Sequence, residues 1–407
     1  MILDKARFFW YFVQYLAALL VSPFIKGAEK YHHLWIISER GTDAGDNGYH
    51  LFKYIREHHP KINIKYIISS GAPDRPKVEK LGEVINYRSF SHMLAFVLSE
   101  VKISTHIMGF SHDMYFFREL DRKKQIKGKK IFLQHGIIKD DIPYLYASEN
   151  NLDLFVCGAG KEYEYIRDRF GYPAGVIRFL GLCRYDALLR GEERRESRMI
   201  LLMPTWRTYM ERVSKAAFKQ SRYFQAYQSL LGSRRLHAIL KKYGYRLKFF
   251  PHHEMLPYLD CFDTVGDSVF LAEKTEDIQK NLIKADLLIT DFSSVFFDFA
   301  YMGKPCVYYQ FDKEEFRSGH YLDGYFSYEE DAFGPVVYEE DELLQKLEAY
   351  MKNGCKSEEL YRMRADDFFT VRDRNNCRRN YDAIQSLLIT ERGEVYGRDK
   401  KEHDRDV

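Results

Sequence analysis

The sequence predicts an α/β protein with two parallel sheets, and two observations support that division. The chain has 407 residues, which is more than a single hydrophobic core usually holds. Short apolar runs of strand length alternate with stretches of helical pattern, and the alternation begins again after a charged patch at 190–198. Because strands that alternate with helices are typical of βαβ units, we expect two Rossmann-like domains that face a cleft.

An apolar segment at 8–24 precedes the first predicted strand, and basic residues flank it on both sides. Gln14 and Pro23 interrupt the segment, and it lacks the small-residue cleavage site of a signal peptide. Three interpretations compete: an anchor in the membrane interface, a helix packed inside the protein, and a short transmembrane span. We favour the interfacial anchor and assign residues 1–30 to an N-terminal apolar helix that associates with a membrane.

The first predicted domain covers residues 31–190. Apolar runs in it have the length of strands, at 34–39, 64–69, 102–106, 130–135, 154–158 and 176–181. Helical patterns lie between these runs, for example at 47–59 and 161–170. The charged patch at 190–198 is the predicted linker.

The second predicted domain covers residues 191–390. Its strand-like runs lie at 200–206, 245–252, 268–273, 287–292 and 305–311. Helical patterns between and after them lie at 223–243, 277–285, 295–302, 339–351 and 377–388. We expect the polar tail at 391–407 to be disordered.

The composition argues against several classes of protein. A net charge of +3 gives no reason to expect nucleic-acid binding. The six cysteines are scattered without a C-x-x-C pair, so we expect reduced thiols in a cytosolic protein and no zinc site. The sequence also lacks G-x-G-x-x-G, Walker and G-x-S-x-G motifs, which argues against a nicotinamide dehydrogenase, a P-loop NTPase and an ordinary serine hydrolase.

Polar residues follow several predicted strands at their carboxyl ends, where open α/β sheets bind ligands. His135 and Gly136 end the apolar run FLQHG. A histidine at such a position can act as a general base near neutral pH, and the alternative is a surface histidine without a catalytic role. We favour the base because the histidine ends a buried strand and glycine follows it directly.

Two strand ends in the second domain carry cationic residues. Thr205 and Arg207 follow the run LLMP, and an arginine there can bind a phosphate with both arms of its guanidinium group. The alternative is a common strand–Pro–Thr turn. His252 and His253 follow the run FFP, and we expect one of them to face the ligand because neighbouring residues of an extended segment point in opposite directions. No further ligand stands at metal spacing, so we predict no metal site.

The strongest signal is the segment LLITDFSSVFFDFAYMGKP. Thr290 and Asp291 end a hydrophobic strand, and Ser293 and Ser294 open an amphipathic helix that carries Asp298 on the same face as Ser294. Hydroxyl groups and free amides at a helix N-terminus bind anions. An ordinary N-cap serine is the alternative.

A last candidate lies near the C-terminus, in the sequence VRDRNNCRRN. We expect its charged residues to close over a phosphate: Asp373, Arg374, Arg378 and Arg379. A charged helix in solvent is the alternative.

Taken together, the ordered segments HG, PTWR, PHH and TDFSSVFFDFAYMGKPCVYYQFD resemble the CDP-glycerol glycerophosphotransferase family of teichoic acid polymerases and primases. The resemblance covers residues 34–390, and its most specific part is the T-D-x-S-S-x-x-F-D-F pattern at 290–299. The segment DNGY at 46–49 also resembles the sequence before the family's first helix. His253 stands where the family usually has proline, and the segment 316–326 departs from the family's R-G-x-Y pattern.

The resemblance implies a GT-B-like fold with an acceptor domain followed by a CDP-donor domain. It implies a CDP-glycerol glycerophosphotransferase, which moves glycerol phosphate or a related polyol phosphate to a hydroxyl of a lipid-linked or polymer acceptor and releases CMP. The pathway would be synthesis of teichoic acid or of a capsular polymer, and neither a cofactor nor a metal is implied.

The resemblance also implies roles for individual residues. His135 would be the base, and His252 with Arg207 would balance the charge of the pyrophosphate. Further residues would form the site for the donor and its phosphates: Thr205, Thr290, Asp291, Ser293, Ser294, Gly136, Asp298 and Arg378. Among these, Asp291 would orient the loop that carries the serines.

An enzyme of this kind would act as a peripheral protein at the cytoplasmic face of the cell membrane. A second stretch at 207–222 carries basic residues among apolar ones; this pattern suits an anionic membrane surface and equally a surface helix that covers the cleft. A GT-B glycosyltransferase with a nucleotide sugar donor is the main alternative, and an inactive membrane scaffold is a second. Within the family, the sequence is compatible with a glycerol or a ribitol donor, and with a primase or a polymerase.

Overall fold

A computed structural model describes residues 2–189, 197–210, 213–273, 276–319 and 322–403. The chain forms two compact units. The first unit comprises the chain up to His135, then Pro143–Ala187, and the chain from Asp373 onward. The second unit comprises Gly136–Ile142 and Leu188–Arg372. Most of the predicted linker, at 190–196, lies outside the described residues.

The first unit contains a seven-stranded sheet. Its strands are β1 (Trp35–Ser38), β2 (Ile64–Ile68), β3 (Val84–Asn86), β4 (Val101–Ser104), β5 (Lys129–Phe132), β6 (Leu154–Cys157) and β7 (Ile177–Phe179). The helices of this part are α1 (Ile2–Ile25), α2 (Asn47–His58), α3 (Arg75–Glu79), α4 (Phe90–Leu98), α5 (Met114–Arg122), α6 (Gly160–Arg169) and α7 (Tyr185–Leu188).

All neighbouring strands of the first sheet are parallel, in the order β3-β2-β1-β4-β5-β6-β7. Trp35 of β1 lies opposite Ile64 of β2 on one side and opposite Val101 of β4 on the other. After β1 the chain continues to β2 and β3 toward one edge strand of the sheet, and after β4 it continues to β5, β6 and β7 toward the other edge strand. In parallel sheets with this strand order, that divergence opens a crevice at the carboxyl ends of the two strands, where ligands bind.

The second unit contains a six-stranded sheet with the corresponding order. Its strands are β8 (Met199–Leu202), β9 (Arg246–Phe249), β10 (Val269–Leu271), β11 (Leu287–Thr290), β12 (Cys306–Tyr309) and β13 (Val336–Val337). The remaining helices are α8 (Lys215–Lys219), α9 (Arg222–Gly232), α10 (Arg234–Tyr243), α11 (Ile278–Lys284), α12 (Val295–Tyr301), α13 (Lys313–Gly319), α14 (Glu340–Lys352), α15 (Glu359–Phe368) and α16 (Asn376–His403).

All strands of the second sheet are parallel as well, in the order β10-β9-β8-β11-β12-β13. The chain diverges here between β8 and β11. The predicted α/β fold with two parallel sheets and an N-terminal apolar helix is confirmed. The sequence does not predict β3 and β13, because neither short strand lies in an apolar run of strand length.

The helical pattern at 223–243 is divided into α9 and α10. The break lies at Ser233, whose hydroxyl accepts a hydrogen bond from the backbone amide of Leu236 at 3.4 Å. Serine competes well for this capping position, so that one long periodic pattern becomes two helices.

The first helix, α1, packs against the first unit on one side and exposes apolar side chains on the other. Tyr11, Tyr15 and Ala18 are buried, and the Tyr15 ring contacts the rings of Phe96 in α4 and Phe117 in α5. The other side exposes large apolar side chains: Phe9, Trp10, Phe12, Val13, Leu16, Leu19, Leu20, Val21 and Phe24. Within the described chain, one helix is long and apolar enough to cross a membrane, over Ala6–Ile25.

The last helix, α16, packs on the first unit. One face of it contributes to the hydrophobic core under the first sheet: Cys377, Tyr381, Ile384 and Leu388. Residues 373–390 therefore differ from the predicted division, which placed them in the second domain. Residues 391–403 also differ from the predicted disordered tail, since they continue α16; glutamate, arginine and lysine are frequent there and favour helix.

Asp186 attaches the start of α16 to the first unit. Its carboxylate accepts hydrogen bonds from the backbone amides of Asn376 and Cys377, both at 2.9 Å, and from Asn376 Nδ2 at 2.7 Å. Amides in the first turn of a helix need partners outside the helix, and the buried Asp186 provides them.

Replacing Gly181 by alanine tests how much this attachment stabilises the protein. Gly181 has φ +79°, and a Cβ atom there would overlap Asn376 Oδ1. We expect Gly181→Ala to lower the free energy of unfolding by about 3 kcal/mol, because left-handed backbone costs about 1–2 kcal/mol and overpacking about 1–3 kcal/mol. Urea unfolding followed by circular dichroism measures the change.

The control is Gly175→Ala. Gly175 has φ +86°, but no atom lies within 4 Å of its Cβ position, so only the backbone cost of about 1–2 kcal/mol applies. Equal losses in the two variants would show that contact with Asn376 contributes nothing.

Candidate active site

The carboxyl ends of β1, β4 and β5 lie side by side in the first sheet. The loop after β1 carries Asp46, the loop after β4 carries His106, and His135 follows β5. The rings of His106 and His135 lie 5.1 Å apart. The strand order thus brings together polar residues that are far apart in the sequence.

His135 forms a close pair with Asp46. Its Nδ1 lies 2.5 Å from Asp46 Oδ2. Because a carboxylate accepts this hydrogen bond, Nδ1 carries the proton and the lone pair is on Nε2. The His135 side chain is 59% exposed whereas that of Asp46 is 13% exposed, so the ring can reach a ligand while its orientation is fixed from within the protein.

Asp46 is itself held by neighbouring groups. Arg184 donates from Nη1 to Asp46 Oδ1 at 2.7 Å and to the carbonyl oxygen of His135. Asn47 Oδ1 accepts from the backbone amide of Arg184 at 3.0 Å. Although burial raises it, Arg184 and His135 hold the pKa of Asp46 below its ordinary value. The carboxylate therefore stays ionised and can stabilise a protonated His135.

Glu39, directly after β1, orders the loop that carries Asp46. Its buried carboxyl group accepts hydrogen bonds from the backbone amides of Gly45 at 2.9 Å, Asp46 at 2.8 Å and Tyr49 at 2.9 Å. Burial, with the charges of Asp46 and Asp43, raises the pKa of Glu39 to about 8. One buried side chain thus ties the residues directly before α2 to the first turn of that helix.

The backbone just before His135 has a strained conformation. Gln134 has φ +62°, in the left-handed region that favours glycine. Its carbonyl oxygen accepts from Asn47 Nδ2 at 2.9 Å, and its Nε2 donates to the carbonyl oxygen of Val156. Strain of this kind persists where neighbouring groups fix it, and it is frequent at functional sites.

His106 supports this arrangement. Its Nε2 lies 3.2 Å from Arg40 Nε, and its Nδ1 lies 2.9 Å from Thr105 Oγ1. Both ring nitrogens therefore have partners within the protein. His135, whose side chain is exposed, is the better candidate for the base.

A buried ion-pair network joins the strand ends of the second sheet. The wholly buried Arg207 donates from Nε and Nη2 to Asp312 at 2.8 and 2.9 Å, and its Nη1 lies 2.9 Å from Asp291 Oδ2. Asp291 Oδ1 accepts from the backbone amides of Thr205 at 2.8 Å and Phe292 at 2.6 Å. Although burial lowers it, Asp291 and Asp312 hold the pKa of Arg207 well above its usual value.

Two residues predicted to bind phosphate, Arg207 and Thr290, are buried and bonded within the protein, so that prediction is wrong for both. Arg207 serves two internal carboxylates, and its exposed fraction is 0%, so its guanidinium does not face a ligand. Thr290 is also fully buried, and its Oγ1 donates to the carbonyl oxygen of Met203 at 2.7 Å. Asp291 is equally buried, where it ties the loop after β8 to the loop after β11.

Partly exposed hydroxyl groups lie above the network. Thr205 follows β8, and Ser293 and Ser294 follow β11. Ser293 Oγ accepts from the backbone amide of Val295 at 3.4 Å, whereas the side chain of the N-cap residue Ser294 makes no capping hydrogen bond. These three hydroxyls follow the carboxyl ends of β8 and β11, and they fit the predicted phosphate site.

His252 follows β9, next to β8 in the sheet, and is partly exposed. Its ring is nearly parallel to that of Trp206, with centroids 6.2 Å apart and an interplanar angle of 16°. Its Nδ1 accepts a hydrogen bond from the backbone amide of Glu254 at 3.4 Å. The two rings form an aromatic wall at this edge. The side chain of His253 lies outside the described part of the chain.

The remaining predicted site residues lie in different places. Gly136 is partly exposed and belongs to the short segment of the second unit that follows His135. Asp298 is buried within α12. Arg378 lies on α16 of the first unit, is exposed, and pairs with Asp382 at 3.7 Å. Its surroundings correspond to the alternative interpretation, a charged helix in solvent.

The sequence interpretation missed Glu39, Arg184 and the pairing of Asp46 with His135. Asp46 was visible only as part of a family-like segment, and 89 residues separate it from His135. Polar residues at the ends of two predicted strands were the available signal. Among the described residues, no group of three or more His, Cys, Asp or Glu side chains is arranged to hold a metal ion.

Two units, each with a parallel sheet whose chain diverges at the central strands, and polar side chains at those strand ends define a GT-B-like α/β protein. The model of the CDP-Glycerol:Poly(glycerophosphate) glycerophosphotransferase family matches residues 24–386. The chain therefore belongs to this family, as the sequence motifs predict.

Individual relatives agree with this assignment. The minor teichoic acid biosynthesis protein GgaB of Bacillus subtilis is 35% identical over 365 residues, which are 87% of this chain and 40% of that protein. The chain thus spans less than half the length of that relative.

Solved structures show the same fold. A variant of the wall teichoic acid polymerase TagF, studied with CDPG, has a TM-score of 0.66 and 17% identity, with 95% of this chain and 99% of that chain covered. The UDP complex of MnaA from Staphylococcus aureus has a TM-score of 0.56 and 11% identity, with 87% and 96% covered. At these identities the likeness concerns the fold alone.

Replacing Glu39 by glutamine tests the anchoring of the loop by a buried carboxyl. The pKa of Glu39 is about 8 in the folded protein and 4.5 in the absence of its surroundings. Stability from the protonated form is complete below the lower value and is lost as pH rises through the higher one. We therefore expect the wild type to lose stability relative to Glu39→Gln between about pH 4.5 and 8.

Thermal unfolding across this pH range measures the difference. The control is Glu57→Gln, since Glu57 lies on α2 with a side chain that is 44% exposed; its curve should follow that of the wild type. If the curves of Glu39→Gln and the wild type also run parallel, Glu39 does not carry a raised pKa.

Proposed function

We propose that this protein transfers glycerol phosphate from CDP-glycerol to a hydroxyl group of a polymer acceptor, with release of CMP, in teichoic acid synthesis. The family match over residues 24–386 carries the proposal, because it spans the sheets of both units. The names of its relatives support it: GgaB is a teichoic acid biosynthesis protein, and TagF is a wall teichoic acid polymerase that was studied with CDPG.

In the proposed step, an acceptor hydroxyl attacks the β-phosphorus of CDP-glycerol. His135 Nε2 takes the hydroxyl proton while the new oxygen–phosphorus bond forms. The bond from the β-phosphorus to the bridging oxygen breaks, and its electron pair leaves with CMP. Asp46, ionised and 2.5 Å from Nδ1, stabilises the imidazolium that results. Phosphoryl transfer needs positioning and charge stabilisation more than covalent help from the protein.

The proposed donor site lies at the carboxyl ends of the strands of the second sheet. Thr205, Ser293 and Ser294 would bind the donor phosphates through their hydroxyls, and His252 would donate to the leaving phosphate from Nε2. The buried Arg207 acts indirectly, because it holds Asp291 and Asp312 and thereby shapes the loops after β8 and β11. The acceptor hydroxyl would bind at the carboxyl ends of the strands of the first sheet.

We also propose a peripheral position at the cytoplasmic face of the membrane, with a lipid-linked acceptor. The exposed apolar side of α1 supports this position, since an interfacial helix buries such a side in the lipid. The stretch at 207–222 supports it less than the sequence indicates. Arg207 is buried, Arg212 lies outside the described residues, and Lys215 forms an ion pair with Asp260.

Variants of the Asp46–His135 pair test the proposed base. We expect His135→Ala and Asp46→Asn each to lower kcat about 10²–10⁴-fold, with little change in KM for the donor, because each removes proton transfer or its orientation. The double variant should be no slower than His135→Ala alone, since the two residues act as one unit. The assay measures CMP released from CDP-glycerol in the presence of an acceptor extract.

His58→Ala is the matched control, because His58 is an exposed histidine on α2 of the same unit. Its rate should equal that of the wild type. A His135→Ala variant that keeps the wild-type rate would exclude this histidine as the base.

Polar substitutions on the exposed side of α1 test the membrane position. Leu20 and Phe24 are 73% and 88% exposed, so Leu20→Ser with Phe24→Ser should leave the packed side intact and weaken binding to phosphatidylcholine vesicles about tenfold or more. Co-sedimentation measures the binding, and CMP release with a soluble acceptor should be unchanged. Undiminished co-sedimentation would contradict the role of α1.

A further inference from the structure

A groove of about 420 Å³ lies in the first unit between α1 and the start of α4. Its lining comes from one stripe of α1 and from the chain that leads into α4: Trp10, Val13, Gln14, Ala17, Arg88 and Phe90. None of these residues belongs to the candidate active site. The volume lies in the range of small-molecule sites in proteins.

The walls of the groove are mainly apolar and continue onto the exposed side of α1. Trp10 is 58% exposed, Val13 37% and Phe90 42%. Residues three and four positions apart on a helix share one face, so Trp10, Val13 and Ala17 form a continuous apolar strip. A hydrocarbon chain that lies along α1 would enter the groove without leaving apolar surface.

Arg88 places a positive charge at the rim of this strip. Its Nε donates to the carbonyl oxygen of His112 at 3.0 Å, and its guanidinium lies 5.0 Å from the centre of the Tyr87 ring and 5.9 Å from that of Tyr11. In the described part of the chain, no carboxylate forms an ion pair with Arg88. The exposed guanidinium is thus oriented by its neighbours, and its charge is available to an anion.

We propose that this groove binds one anionic phospholipid, because its walls are mainly apolar and its rim carries the positive charge of Arg88. The phosphate lies on Arg88, and an acyl chain lies against Trp10 and Ala17. The inference extends the proposed membrane position of the protein, because it adds selection of a lipid to the apolar contact of α1.

The first test uses the full chain and short-chain phosphatidylglycerol below its micelle concentration, so that no bilayer is present. Trp10 lines the groove and reports binding through its fluorescence, and Trp10→Phe identifies its signal. We expect saturable binding of short-chain phosphatidylglycerol and at least fivefold weaker binding of short-chain phosphatidylcholine. Ala17→Trp, which fills the groove, should abolish the binding in a Trp10→Phe background followed by calorimetry.

The second test uses co-sedimentation with vesicles of phosphatidylcholine alone or mixed equally with phosphatidylglycerol. Arg88→Gln should weaken binding to the mixed vesicles at least about fivefold, the effect of one basic residue at an anionic surface, and leave binding to phosphatidylcholine unchanged. Arg167→Gln on α6 removes the same charge from another exposed helix and should change neither. Circular dichroism establishes that each variant is folded.

Equal binding of the two short-chain lipids, or equal behaviour of Arg88→Gln and Arg167→Gln, would overturn the proposal. CMP release with a soluble acceptor separates this inference from the proposed function. Normal CMP release without lipid preference defeats the groove alone. Lipid preference that depends on Arg88, in a protein that releases no CMP, defeats the transferase proposal and leaves the groove standing.

Discussion

The divergence of the chain at the centre of each parallel sheet is the constraint from which the site follows. In the first sheet the chain leaves β1 and β4 toward opposite sides, and in the second it leaves β8 and β11 in the same way. Parallel strands have their carboxyl ends on the same side of the sheet, so the loops that follow neighbouring strands lie close together there. Asp46 and His135 meet at the carboxyl ends of the first sheet, and Asp291 and Arg207 meet at those of the second.

The charged groups at the carboxyl ends of the two sheets differ in their exposure to solvent. The Asp46–His135 pair is half open to solvent, so the histidine can exchange a proton with a ligand while the carboxylate fixes its tautomer. Arg207, Asp291 and Asp312 form a completely buried network. Each charge in it needs its partner, because an unpaired buried charge costs several kcal/mol. The first arrangement suits acid–base chemistry. The second gives the surrounding loops one defined conformation.

The sequence predicts the sheets well, because buried parallel strands such as 287–290 appear as continuous apolar runs. It also predicts that His135 and the serines at 293 and 294 follow the carboxyl ends of strands, which is where the structure has them. Burial and strand order are not visible in a single sequence. From the sequence alone, Arg207 is therefore expected to bind a phosphate rather than Asp312, which lies 105 residues away. The partner of His135 and the docking of α16 on the first unit were missed for the same reason, since both are long-range contacts.

The central claim is that this chain moves a glycerol phosphate unit, and product stoichiometry tests it most directly. Purified protein is incubated with an acceptor and, in turn, CDP-glycerol, CDP-ribitol and UDP-glucose, while the nucleotide released and the unit added to the acceptor are both quantified. The account predicts one CMP for each glycerol phosphate added from CDP-glycerol, and no UDP. Release of UDP with transfer of glucose, or CMP without an extended acceptor, would contradict it.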